Sequence, residues 1–141
     1  MSALTLAQAN AIVTAALERS AQAGYKPMAV VVVDEAGNLK AAQREDGASM
    51  FRIDIAHGKA FACAAMGVSS RQLMERARDN PQFYVSLAST AHGRFLPQTG
   101  AVVIKDASGR VVGAIGASGG TGDQDEEICI AGVLAAGLAH G

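Results

Sequence analysis

The stretch Gly113-Ala-Ile-Gly-Ala-Ser-Gly-Gly-Thr-Gly-Asp-Gln-Asp-Glu-Glu127 decides how the rest of the chain is read. It begins as the end of an apolar strand, Arg110 to Ala117, and passes through a glycine-rich turn. It then reaches Asp123-Gln-Asp-Glu-Glu127, five acidic or amide residues in a row. A wholly uncharged run, Ile128 to Ala139, follows at once. Glycines allow positive φ and close approach of other groups. Asp123 with Glu126 three residues on resembles a helix start, where early carboxylates meet free N–H groups and the positive dipole end. The reading is therefore strand, tight glycine loop, helix N-terminus. Exposed N–H groups at such a junction can hold an anion. The competing reading is structural: Gly119, Gly120 and Gly122 make a sharp corner, and the acids cap a helix. Crowded carboxylates favour that second reading unless a cation lies nearby.

Outward from this stretch, the totals bound the answer. A chain of 141 residues is expected to form a single domain over 1–141 with a core of its own. Half of the residues are hydrophobic but only 4% are aromatic, with no Trp. The core must be built from Ala, Val, Ile and Leu. Twelve basic against thirteen acidic residues argue against nucleic acid or an anionic membrane as the main partner. Cys63 and Cys129 lie in apolar surroundings and read as free buried thiols, and no spacing suggests a metal site. The N-terminus has no basic region leading into an apolar one, so no leader is expected. The uncharged run is too short to cross a bilayer, which needs about 20 residues. A soluble, cytoplasmic protein is the expectation.

Thr5-Leu-Ala-Gln8 matches a capping box, and Leu6, Ala9, Ile12, Val13, Ala16 and Leu17 then form one apolar helical stripe. Gly24 and Pro27 end it. Met28 to Val33 is a β-branched run, joined by Asp34-Glu-Ala-Gly-Asn38 to Leu39 through Arg44 as a hairpin, with Gly37 at the turn. The same grammar returns in Ala101 to Lys105, Asp106-Ala-Ser-Gly109 and Arg110 to Ile115. Between the hairpins, Met50 to Met66 reads as an Ala-rich helix stopped by Gly67. Ser69-Ser-Arg-Gln72 matches another capping box, opening a helix to about Asp79. Asn80-Pro81 breaks it, and Gln82 to Ser89 forms a further turn or two. Thr90 to Gly100 reads as loop, with room for a short strand near Arg94 to Leu96. Hairpins separated by helices specify an α+β fold, an antiparallel sheet with helices packed on it.

The helix Phe51-Arg-Ile-Asp-Ile-Ala-His-Gly-Lys-Ala60 carries the second polar cluster. Lys59 has Ile55 four residues before it and Cys63 four after, so its stem lies on an apolar face. Such a lysine either reaches water or is held by a carboxylate, and a desolvated one can act as a base. An acid of the Asp123–Glu127 segment is the expected partner. His57 has Asp54 three residues before it, a pair that could orient the imidazole, although a histidine so placed is more often an ordinary packed residue. His92 falls in the loop, and His140 is expected to fray. No zinc-protease, serine-hydrolase, phosphate-loop or dinucleotide-binding pattern occurs.

These residues together resemble the GlcG/HbpS family, the haem-degrading domain family also found at the C-terminus of PduO proteins. The resemblance rests on Asp54-Ile-Ala-His-Gly-Lys-Ala60, the Pro97 loop and Val112 through Glu126, with a Gly-x-x-Gly-x-Ser-Gly-Gly turn followed by Gln-Asp-Glu. Element order fits from Leu4 to His140. The resemblance implies a profilin-like sheet flanked by helices and assembly into a homo-oligomer. It marks Lys59, Gly116, Ser118, Gly119, Gly120, Asp125 and Glu126 as family positions. Some relatives bind haem and others sit in catabolic clusters without an assigned reaction.

Three functional readings result. The first is an oligomeric small-molecule-binding protein with haem or a related tetrapyrrole as ligand, using His57, Gly116, Ser118, Gly119, Gly120 and Asp123. The second is a lyase or isomerase acting on a small organic acid, with Lys59, Asp125 and Glu126 as catalytic groups. The third is a scaffold. With only six Phe and Tyr together, haem is expected at an open surface or an interface rather than in a deep pocket of one chain.

Overall fold

The computed structural model describes residues 3–141. In chain order it contains α1 (Leu6–Ala23), β1 (Ala29–Asp34), β2 (Leu39–Arg44), α2 (Phe51–Met66), α3 (Ser70–Asp79) and α4 (Pro81–Thr90). These are followed by β3 (Ala101–Lys105), β4 (Val111–Ser118), α5 (Gly122–Ala135) and β5 (Ala139–His140). The strands form one antiparallel sheet in the order β2-β1-β4-β3-β5. The two hairpins are joined by pairing of β1 with β4, Val31 opposite Gly116 and Val33 opposite Ala114. The α+β expectation holds. The reading of the first residues as lacking a leader falls partly on positions 1 and 2, outside the described residues.

Both faces of the sheet are covered, which explains why β1 is an unbroken valine run rather than an alternating one. Val30 and Val32 face α1 and α5, in a cluster with Ile12, Val13, Val102, Ile104, Ile115, Ile128 and Val133. Val31 and Val33 face α2 and α3, with Ala56, Ala60, Cys63, Leu73, Val103 and Ala114. Burying a side chain such as Ile12, fully inaccessible here, contributes about 1.5–3 kcal/mol.

Several local expectations need correcting. The last helix is capped by Thr121, not Asp123: the Thr121 hydroxyl accepts from the Gln124 N–H, and the Gln124 carboxamide oxygen accepts from the Thr121 N–H. The preceding glycine turn leaves Thr121 in extended geometry with its hydroxyl over the first turn, so Asp123 falls inside the helix. Ser69 precedes α3 but does not cap it with its side chain. Its hydroxyl accepts from the Val103 N–H and donates to the Gly141 carbonyl, serving the sheet instead. The further helical segment expected over Gln82 to Ser89 is present and extends by one residue at each end, as α4, with Pro81 well suited to the first helical turn. No strand forms at Arg94 to Leu96.

The uncharged stretch also divides. Its helical part ends at Ala135, and residues 139–140 add a strand to β3, so His140 is not frayed. Helix α5 packs closely on α1: a Cβ on Gly132 would stand 2.6 Å from the Ile12 carbonyl oxygen and 3.2 Å from the Ala16 methyl. The small residues let α1 lie close. Among the described residues, no helix is long and apolar enough to cross a membrane.

Candidate functional site

Helix α2 crosses the sheet over Gly116. A Cβ at that position would collide with the Ala56 carbonyl oxygen, so only glycine lets the helix sit this low. The close approach carries Lys59, on the next turn of α2, to the end of β4. There its ammonium donates to the Ala117 carbonyl at 3.0 Å and to Asp125 Oδ2 at 3.1 Å. Lys59 is 6% exposed and Asp125 2%, so this is a buried ion pair. The other carboxylate oxygen, Oδ1, accepts from the Gly120 N–H at 2.9 Å. Gly100 backs the pair, because a Cβ there would stand 2.6 Å from Lys59 Nζ. The expected bond between Lys59 and the acidic segment is present.

Each remaining member of that segment is engaged as well. Asp123 and Glu126 both bind Arg71 of α3, at 2.6 and 3.1 Å, which clasps α3 to the start of α5. Gln124 completes the helix cap. Glu127 turns toward α1, where Arg19 Nη2 lies 2.6 Å away and the Tyr25 hydroxyl donates at 2.6 Å. The Tyr25 hydrogen bond, with Arg19 adding to it, holds the Glu127 carboxyl below its ordinary range. The same bond raises the Tyr25 hydroxyl above its own. The apparent crowding of carboxylates is thus resolved by three cations drawn from α1, α2 and α3.

Beside the Lys59–Asp125 pair opens a cleft of about 690 Å³, within the range of small-molecule sites. Its walls come from α2 (Arg52, Ile55, Lys59), α3 (Arg71, Met74), the loop before β3 (Leu96, Gln98, Thr99) and the β4–α5 turn (Ser118, Gly120 through Asp123, Asp125). Among the described residues, no aromatic ring and no histidine lines it. Arg52 donates to the Ser118 hydroxyl at 3.1 Å. Among the described residues it has no carboxylate within ion-pair distance, unlike the other two cations of the cleft. Ser70 anchors the chain just after Thr99, its buried hydroxyl accepting from the Gly100 and Ala101 N–H groups and donating to the Ala101 carbonyl.

Of the residues singled out from the sequence, Lys59, Asp125, Ser118, Gly120 and Asp123 meet at this cleft. Gly119 lines an adjoining cavity, Gly116 is packed under α2, and Glu126 is held on Arg71 without lining the cleft. His57 lies apart, in a cavity of about 220 Å³ with Asp54, Gly58, Gly93 and Arg94. No hydrogen bond joins it to Asp54. His92 is exposed in a left-handed turn (φ 57°), and His140 Nδ1 is buried at the sheet edge without a hydrogen-bond partner. Arg52 was not among the sequence candidates, although Arg52, Ile55 and Lys59 follow the three- and four-residue steps of one helix face. Arg71, Met74 and Thr99 reach the cleft only through tertiary packing.

Comparison with known proteins agrees with this architecture. The family described as haem-degrading protein HbpS-like matches residues 4–134. An uncharacterised 15.0 kDa protein from the dhaT–dhaS intergenic region of Citrobacter freundii is 30% identical over 122 residues, covering 86% of this chain and 84% of that protein. The crystal structure of a PduOC–haem complex superposes with a TM-score of 0.86 at 25% identity, covering 98% of both chains. A double mutant of Streptomyces reticuli HbpS superposes with a TM-score of 0.82 at 30% identity, covering 95% of this chain and 87% of that one. With a family match spanning nearly its whole length, the chain belongs to the HbpS-like haem-degrading protein family.

Proposed function

We propose that this protein binds a carboxylate-bearing small molecule in the cleft between α2, α3 and the β4–α5 turn, and that the ligand is haem or a related tetrapyrrole. The observation that carries the reading is Arg52: a guanidinium at the cleft wall, held among the described residues only by a serine hydroxyl, beside cations already matched by acids. A guanidinium pairs with carboxylates in a planar, two-pronged geometry. The relationship to a protein crystallised as a haem complex supplies the ligand class.

The residues lining the cleft fit the carboxylate edge of a tetrapyrrole and not an iron. Among the described residues none of them is a histidine, and Met74, whose sulfur lines the cleft, accepts a hydrogen bond from Thr99 at 3.3 Å. Ile55, Met74 and Leu96 offer apolar contact to a flat ring. Binding on this reading is reversible, at an open surface, and governed by the carboxylates rather than by axial ligation from this chain. The test is an absorbance and fluorescence titration comparing haem with metal-free protoporphyrin. Affinities for the two within about threefold, both weakened roughly tenfold or more by Arg52→Ala, support the proposal; charge-assisted bonds of this kind contribute about 1.5–3 kcal/mol. A strong preference for haem that Arg52→Ala leaves unchanged would refute it.

A second reading, acid–base chemistry on a small organic acid, rests on Lys59 and Asp125 both lining the cleft. Lys59 is engaged by two acceptors, so it would serve as a base only after releasing Asp125. Turnover of a small acid without added haem, abolished by Lys59→Met in protein that remains folded, would favour this reading. Assembly into a homo-oligomer is proposed as well, supported by the family and by the exposed Leu134 on the outer side of α5.

A further inference from the structure

Behind the glycine turn lies a second cavity, of about 510 Å³, walled by Tyr25, Lys26, Arg52, Gly119, Gly120, Thr121 and Gln124, with Gly24 at its rim. It meets the main cleft at Arg52, Gly120 and Thr121, which line both. Its charged lining is one-sided. Lys26 enters from the α1–β1 connection and Arg52 from α2, and no carboxylate is among its walls. Among the described residues, neither cation has an acid within ion-pair distance. The Tyr25 hydroxyl is committed to Glu127, which leaves its ring as a wall. The Gln124 carboxamide oxygen is taken by the Thr121 N–H, so its amide nitrogen remains as a donor. Two cations from separate elements and an amide donor, without an acid to match them, make a second place for an anionic group.

We infer that Lys26 forms a second carboxylate subsite, with Arg52 shared between the two cavities, so that the site selects ligands carrying two carboxylates on one edge. The inference rests on the proposed tetrapyrrole reading and adds a specificity that the main cleft alone does not provide. A dicarboxylate porphyrin places one acid on Arg52 beside Ser118 and the other on Lys26 beside Gln124. A monocarboxylate engages Arg52 alone.

The test titrates the full chain, as wild type and as Lys26→Gln, with protoporphyrin IX and with its monomethyl ester by fluorescence quenching. Lys26 is exposed and, among the described residues, makes no side-chain hydrogen bond or ion pair, so the two proteins are expected to unfold at matching temperatures, which a thermal melt checks. The expected result is a roughly three- to fivefold loss for the diacid on Lys26→Gln, the size of one exposed ion pair, with the monoester unchanged. Unchanged affinity for both ligands overturns the subsite. An equal loss for both also overturns it, because that reports general attraction rather than a second contact. Wild-type protein that binds neither porphyrin refutes the underlying reading of the cleft. Binding that ignores Lys26 refutes the subsite alone.

Discussion

Replacing Lys59 by Met should destabilise the protein by about 3 kcal/mol, the lower end of the cost of breaking a buried ion pair. In the native fold Asp125 is 2% exposed and has two partners, the Lys59 ammonium at 3.1 Å and the Gly120 N–H at 2.9 Å. Methionine matches the length and apolar stem of lysine, so packing on α2 is kept. What is lost is the cation, together with one donor to the Ala117 carbonyl. Asp125 keeps the Gly120 bond and borders a cleft that water can enter, which argues for the lower end of the range. At a urea slope near 1.5 kcal/mol/M, the unfolding midpoint falls by roughly 2 M. The companion variant Lys59→Met/Asp125→Leu removes both charges, and replacing a whole buried pair by apolar groups is often close to neutral. Equilibrium urea unfolding followed by circular dichroism should therefore find the double variant more stable than Lys59→Met alone. A single variant within about 0.5 kcal/mol of wild type would refute the reasoning. A double variant that loses the sum of the two single losses would refute it too, because the pair would then carry no coupling.

Gly116→Ala should cost about 1–3 kcal/mol through overpacking under α2, seen as a lower thermal midpoint; unchanged stability would mean that α2 does not rest on that backbone. Burial pushes the Cys63 thiol up to about 12, and Cys129 is raised as well by burial. Raised values keep both thiols protonated at pH 8, so a disulfide reagent should react with them slowly in native protein and quickly in urea; rapid native labelling would contradict the burial of both. Light scattering at micromolar concentration should give a multiple of the 14.3 kDa chain mass, and a single chain mass would exclude the proposed homo-oligomer.

Much of this fold is legible in local chemistry. The Thr5–Gln8 box, the Gly37 and Gly109 turns and the Gly67 stop all act over a few residues, and they stand where the spacing places them. Ser69 shows where such reading ends. Its match to a capping box is real as a pattern, but a buried N–H on Val103 competes for the same hydroxyl and takes it. The cap at α5 lies two residues before the acids because Thr121, between two glycines, and Gln124 form the capping box. Pairing of β1 with β4, which joins residues as far apart in the chain as Ala29 and Ser118, has no local signal at all. The site divides in the same way. Lys59 on an apolar face without a carboxylate of its own pointed to the acidic segment, and Asp125 is that partner. Arg52 lay on the same face, two turns earlier, and was legible by spacing. Arg71 was not, because nothing near it in the chain marks Asp123 and Glu126 as its partners.

The most direct measurement is a crystal structure of the protein soaked with protoporphyrin or haem. A ligand carboxylate is expected at hydrogen-bonding distance, about 3 Å, from the Arg52 guanidinium, with the ring over Ile55, Met74 and Leu96. A tetrapyrrole seated instead at the His57 cavity, with Arg52 still bound only to Ser118, would contradict it.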